Sequence, residues 1–243
     1  MSSSGHLVFF QSLFQLKEPP IFFDLMVHMG TLLAVVVYLR GDILKIVQGV
    51  GATLRRENKA PDGARLFLWI IVASIPTGLM GILFKDWFES LFSRPVTVGI
   101  MLLVTGSFLW LTRWAPGKGR KIMNMGVIDS LLIGVAQGIA IIPGISRSGA
   151  TISTGLFCGL DRELAGKFSF LLSIPAILGA TLLEFDKIGS IQEIWPVLAG
   201  TFIAFGVGYF SLKILMRIIR IGKMADFSYY CWGIGVLMII FST

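Results

Sequence analysis

Arg147 is the single charged residue between Ser130 and Leu160. Both flanks are apolar enough to carry it into lipid. A charge at that depth is costly, and it faces a cavity or a partner when it occurs. The surrounding stretch, Gln137–Thr151, reads Q-G-I-A-I-I-P-G-I-S-R-S-G-A-T. Pro143 and Gly144 break the incoming helix. Ser146, Ser148, Gly149 and Thr151 place hydroxyls and backbone N–H groups at the start of the next one. A guanidinium, hydroxyl donors and open N–H groups at a helix start make an anion site, and phosphate suits it best. The bland alternative is an N-capped helix break whose arginine snorkels to the headgroups. The absence of any neighbouring charge favours the anion site.

Composition agrees with a membrane setting. Of 243 residues, 55% are hydrophobic and only 14% charged, which suits a polytopic membrane protein better than a soluble domain. The formal charge of +7 lies in short loops between apolar runs rather than on one stripe, so nucleic acid is not an expected partner. Cys158 and Cys231 sit inside apolar segments without metal-ligand spacing and read as core residues. No basic n-region opens the chain, so no cleavable signal peptide is expected.

Spanning segments are expected at 22–39, 66–84, 96–112, 168–183, 194–212 and 227–243, with a kink at Pro76 and Gly78 and with Pro175 inside 168–183. A short apolar arm, 7–16, precedes them. The connections 40–65, 113–126 and 213–223 are basic and belong on the cytoplasmic side, with 85–94 and 184–193 outside. The segment 96–112 enters the cytoplasm and 168–183 must leave from it, so an even number of crossings separates them. A re-entrant hairpin with its tip at Pro143–Thr151 satisfies that parity. Its incoming arm, Val127–Pro143, reaches roughly 25 Å as a helix. Two short full crossings are the alternative.

The chain also resembles itself. Ser2-Ser3-Ser4-Gly5 and Ser146-Arg147-Ser148-Gly149 share S-x-S-G, and an apolar helix of opposite direction follows each. That pattern predicts an inverted repeat, about 1–112 and 127–243, within one integral domain spanning 1–243. The expected fold is an all-α integral membrane protein, a polytopic helical bundle with inverted repeats and re-entrant hairpins. The two tips bring together Ser3, His6, Ser146, Arg147 and Thr151. A serine three residues from a histidine supplies a nucleophile and an acid/base group, and Arg147 neutralises charge in phosphoryl transfer. On residue type alone, Ser2–Ser4 and His6 also read as a solvated polar terminus. His28, with Asp24, reads as a packed polar residue. Gln137 bonds either within the site or to a neighbouring helix.

P-G-I-S-R-S-G-A-T at 143–151 resembles the signature of the bacterial undecaprenyl-diphosphate phosphatases, the BacA/UppP family. S-S-S-G-H-L at 2–7, F-D-L-M-V-H-M-G-T-L-L-A-V-V-V-Y at 23–38 and F-S-F-L-L-S-I-P-A at 168–176 are similar to that family as well. The resemblance implies a hydrolase of the bacterial inner membrane with its site on the outer side. Its substrate would be a polyprenyl diphosphate lipid, and its product the carrier used in cell-wall and peptidoglycan synthesis, with bacitracin resistance as a consequence. A divalent cation, Mg2+ or Ca2+, is implied too, and a homodimer is one option for assembly. Carried onto this chain, Ser3 is the nucleophile, His6 its acid/base partner, and Arg147 the diphosphate ligand. Gly144, Ser146, Ser148, Gly149 and Thr151 line the site. The family's E-G-x-x-E-F-x-P segment, which supplies two glutamates before S-S-x-G-H, has no counterpart here; Glu18 and Asp24 are the nearest acids. A segment preceding Met1 is therefore the expectation, with an inactive paralogue as one alternative. An anion or lipid-phosphate transporter or scramblase is the reading from another class.

Overall fold

A computed structural model describes residues 2–14, 21–55, 62–116, 119–184 and 194–241. Its helices, in chain order, are α1 (Ser3–Phe14), α2 (Ile21–Tyr38), α3 (Arg40–Leu54), α4 (Asp62–Leu83), α5 (Lys85–Phe92) and α6 (Pro95–Leu111), then α7 (Val127–Ile139), α8 (Arg147–Phe157), α9 (Arg162–Glu184), α10 (Ile194–Ile221) and α11 (Phe227–Phe241). Five are long and apolar enough to cross a membrane: α4, α6, α9, α10 and α11. A sixth is reached if α2 and α3, bent by 73° at Leu39, count as one span. The chain is an all-α multi-pass membrane protein. Large apolar side chains such as Ile82, Phe202, Val207, Phe210 and Ile240 stand on its outer surface, as a lipid solvent allows.

α6 packs along α11, α2 along α10, and α4 along both α3 and α7. Small residues permit the close crossings. A Cβ on Gly99 of α6 would lie 3.0 Å from the Gly235 carbonyl of α11, so neither position has room for a side chain. The main core gathers Ile133, Ile152, Phe168, Leu171, Leu172, Met216 and Ile219, so that α7, α8, α9 and α10 share one buried centre.

Several connections turn out to be helical. The stretch 40–65, expected as a polar loop, contains α3. Its Ile43 and Ile46 pack on the core, and its Gly49 meets the backbone of Gly63 and Ala64. Scattered basic residues hid this amphipathic face. The connection 85–94 forms α5, which buries Phe88 and Leu91. α10 runs through the basic stretch to Ile221, because no breaker intervenes before Gly222 at φ +84°. Its long cationic side chains ride on the last turns of the helix. α4 and α9 continue as helices through Pro76 and Pro175. The acidic connection beyond Glu184 lies outside the described residues. At the basic ends, Lys167 bonds Asp42 at 3.1 Å and Glu163 at 3.1 Å, and Arg220 bonds Glu163 at 2.9 Å. These pairs tie α3, α9 and α10 together at one end.

Candidate functional site

α7 and α8, of 13 and 11 residues, reach only ~20 and ~17 Å, short of a hydrocarbon core of ~30 Å. They pack on each other and are joined by the turn 140–145, so the segment doubles back. Its two ends are clasped together. Arg120 donates to both Asp129 oxygens, at 3.1 and 2.8 Å, to the Cys158 carbonyl at 2.7 Å, and to the Asn124 carbonyl. Asp129 also accepts from the Gly126 N–H at 2.8 Å and so caps α7. Along its length α7 is fixed to α4, with Ser130 donating to the Trp69 carbonyl at 2.5 Å and Thr77 to the Gly134 carbonyl at 2.9 Å.

The tip rests against the middle of α6. Thr105 donates to the Gly144 carbonyl at 3.0 Å and accepts from the Ser146 N–H at 3.1 Å. One buried hydroxyl thus serves two backbone groups that no water could reach. Thr105→Val keeps the shape and leaves both groups unmatched. It is expected to cost about 2–5 kcal/mol, read as a drop in Tm of the detergent-solubilised protein; an unchanged Tm would count against this support.

Ser146 is the N-cap of α8, its Oγ accepting from the Gly149 N–H at 3.0 Å. The N–H groups of Arg147 and Ser148 have no partner among the described residues. The half-buried Arg147 guanidinium likewise has no carboxylate and no hydrogen-bond acceptor among them. Thr151 is buried. Its hydroxyl donates to the Arg147 carbonyl at 2.8 Å and lies 2.5 Å from Ser169 Oγ, so it braces the turn that carries the arginine and does not project from it.

α1 repeats this start. Ser2 Oγ accepts from the Gly5 N–H at 3.1 Å, as Ser146 does from Gly149. Ser3 then occupies the position that Arg147 holds on α8, and it is exposed. The two starts touch: a Cβ on Gly5 would lie 3.2 Å from Gly144 Cα. From there the helices part. Gly5 lies beside Leu102, and Val8 packs in a cluster with Val98 and Leu102, so α1 runs against the direction of α6. Ser146 lies at Thr105 and Gly149 beside Leu109, so α8 runs with it. His6 is half-buried. Its Nδ1 lies 2.6 Å from the Ser2 carbonyl and its Nε2 2.8 Å from the Tyr230 hydroxyl. The structure therefore places His6 against Ser2 and Tyr230, and neither ring nitrogen bonds Ser3.

With this geometry in view, the comparisons with known proteins point one way. The family model described as bacitracin resistance protein BacA matches residues 1–237. The chain belongs to the BacA family. It is 44% identical to an undecaprenyl-diphosphatase of Desulforapulum autotrophicum, over 99% of this chain and 91% of the relative. It is also 44% identical to one of Carboxydothermus hydrogenoformans, over 99% and 90%, and 40% identical to one of Methanosphaera stadtmanae, over 100% and 91%.

Within this BacA-family chain the sequence did not point to Thr105 or Tyr230. Both act through the backbone or side chain of a distant stretch, which no local pattern shows. Gln137 settles on the neighbouring helix, 3.4 Å from Thr77 Oγ1. His28 is not packed: its side chain is 51% exposed and pairs with Asp24 at 3.5 Å. Among the described residues no donor set for a divalent cation assembles, since no three His, Cys, Asp or Glu side chains converge. Glu18 lies outside them, and Asp24 faces outward beside His28. No reaction step is therefore assigned to a metal.

Proposed function

We propose that this BacA-family membrane protein hydrolyses undecaprenyl diphosphate to undecaprenyl phosphate and inorganic phosphate. That reaction recycles the lipid carrier for cell-wall synthesis, with bacitracin resistance as a consequence. The observation that carries the reading is the Arg147 guanidinium, unpaired among the described residues, at the open start of α8 and in contact range of the matching start of α1. Arg147 grips the terminal phosphate through its planar fork, and the N–H groups of Arg147 and Ser148 take further oxygens. The Ser3 hydroxyl attacks the terminal phosphorus, and the bond from that phosphorus to the bridging oxygen breaks. Undecaprenyl phosphate leaves. His6, on the same helix three residues on, takes the serine proton on Nε2 once that nitrogen exchanges the Tyr230 hydroxyl for the Ser3 hydroxyl. Water then cleaves the serine ester and releases inorganic phosphate.

The clasped ends of the α7–α8 hairpin lie with the basic connections. By the positive-inside rule its tip opens toward the outer side of the plasma membrane. Two matched starts with opposed directions support an inverted repeat of about 1–112 and 127–243, with the site where the halves meet. The test is phosphate release from C55 diphosphate by the purified protein in detergent. Release is expected, and since no membrane barrier exists there, a pure transporter would release none. Absence of phosphate would sink the hydrolase reading.

A further inference from the structure

We propose that His28 is the catalytic base of the second step, taking a proton from the water that cleaves the serine ester. The inference rests on the two-step reaction and the inverted repeat proposed for this chain. Proton balance calls for such a group. The water oxygen bonds to phosphorus and the bond from phosphorus to Ser3 Oγ breaks. Oγ takes back the proton that His6 holds, so the water must give its own proton to a second acceptor. His28 offers one. The Asp24 carbonyl, 2.8 Å from Nδ1, can only accept, so Nδ1 carries the hydrogen and the neutral ring keeps its lone pair on Nε2. Nε2 has no partner among the described residues. The Asp24 carboxylate, 3.5 Å from Nδ1, lies beside the charge that a proton on Nε2 creates.

The fold puts that nitrogen in water. His28 is the eighth of the 18 residues of α2, so it stands near the middle of the span. It follows Leu25 by three residues and precedes Leu32 by four, and both leucines are buried, so the three share one face of the helix. Leu33, exposed to lipid, lies about 140° further round from His28. An ionisable side chain that is 51% exposed at mid-span, away from the lipid face, lines a water-filled cleft. The repeat brings that cleft to Ser3. Phe23-Asp24 matches Phe168-Ser169, and His28 then matches Ser173. Ser169 bonds Thr151, four residues past Arg147. The counterpart of Thr151 on α1 is Leu7, four residues past Ser3, so Asp24 falls beside Leu7. α1 runs outward and α2 inward, so one turn along α2 from Asp24 brings His28 level with Ser3.

The experiment gives C55 diphosphate to the parent, His28→Leu and Ser3→Ala in detergent and follows undecaprenyl phosphate and inorganic phosphate separately. His28→Leu is expected to lower steady phosphate release by about 100-fold. It should still release undecaprenyl phosphate in a stoichiometric burst, leaving phosphorylated Ser3 for mass spectrometry to detect. Its fold should survive, because the partners of the ring among the described residues all lie on its own helix. Phosphate release at the parental rate, or a slow variant with neither burst nor phosphorylated Ser3, overturns the proposal. A parent that releases no phosphate, or Ser3→Ala at the parental rate, would sink the underlying reaction, which is a different failure. A second measurement does not need turnover. In proteoliposomes of a Cys158→Ala/Cys231→Ala protein, a charged, membrane-impermeant methanethiosulfonate should modify the His28→Cys variant and spare the Leu33→Cys variant. Equal labelling of the two would reject the water-filled cleft, and the proposal with it.

Discussion

Arg147→Ala is expected to abolish phosphate release, with a loss on the order of a thousandfold or more, the scale at which a positioned arginine contributes to phosphoryl transfer. Two features set that scale. The guanidinium has no internal partner among the described residues, so its whole hydrogen-bonding capacity is free for a ligand. It also stands beside two open N–H groups, so removing it leaves a phosphate held by neutral donors alone. Arg147→Lys is expected to be nearly as damaging, because an ammonium keeps the charge and loses the planar fork. Full activity in Arg147→Lys would show that charge alone suffices. Both variants should fold, since no hydrogen bond or ion pair of the guanidinium among the described residues is lost, and an unchanged Tm beside the lost turnover is part of the expectation.

Gly144→Ala should be strongly disruptive to the hairpin. Gly144 sits at φ +96°, where side-chain-bearing residues are strained. A Cβ there would lie 2.4 Å from the Val98 carbonyl oxygen and 2.8 Å from Met101 Cβ. Neither neighbour can yield, because Val98 belongs to the α6 backbone and the same turn is held by Thr105. Backbone strain and overpacking together are expected to cost about 3–5 kcal/mol. The tip would also be pushed away from Gly5, separating the two helix starts. Thermal unfolding in detergent and phosphate release should fall together, and a variant with parental Tm and turnover would mean that the tip does not need this close approach.

The hairpin was legible because it follows from counting. A lone arginine in an uncharged run and an even number of crossings between residues 126 and 168 leave few topologies. The likeness of Ser2–Gly5 to Ser146–Gly149 was legible for a similar reason: a cap is a local device, and the same four-residue pattern makes the same bond twice. What escaped were features set by distant contacts. α3 looked like a loop since its apolar face is narrow, and only packing on α4 reveals it. Lys213, Arg217 and Arg220 suggested a connection, yet flexible cationic stems at the end of a spanning helix need no break in the backbone. Thr105 and Tyr230 carry no motif. Each matters because the fold brings it against groups from another segment.

The opposed paths of α1 and α8 have an electrostatic result. Each helix concentrates roughly half a positive elementary charge at its beginning, and here both beginnings fall at the same depth while the negative ends point to opposite faces of the membrane. Added to the guanidinium, the two macrodipoles bring the spot to about +2 in total, with no carboxylate among the described residues to balance it. A diphosphate headgroup brings charge of that order and opposite sign. The fold thus stores its counter-charge as oriented backbone, which neither titrates nor diffuses away when the product leaves.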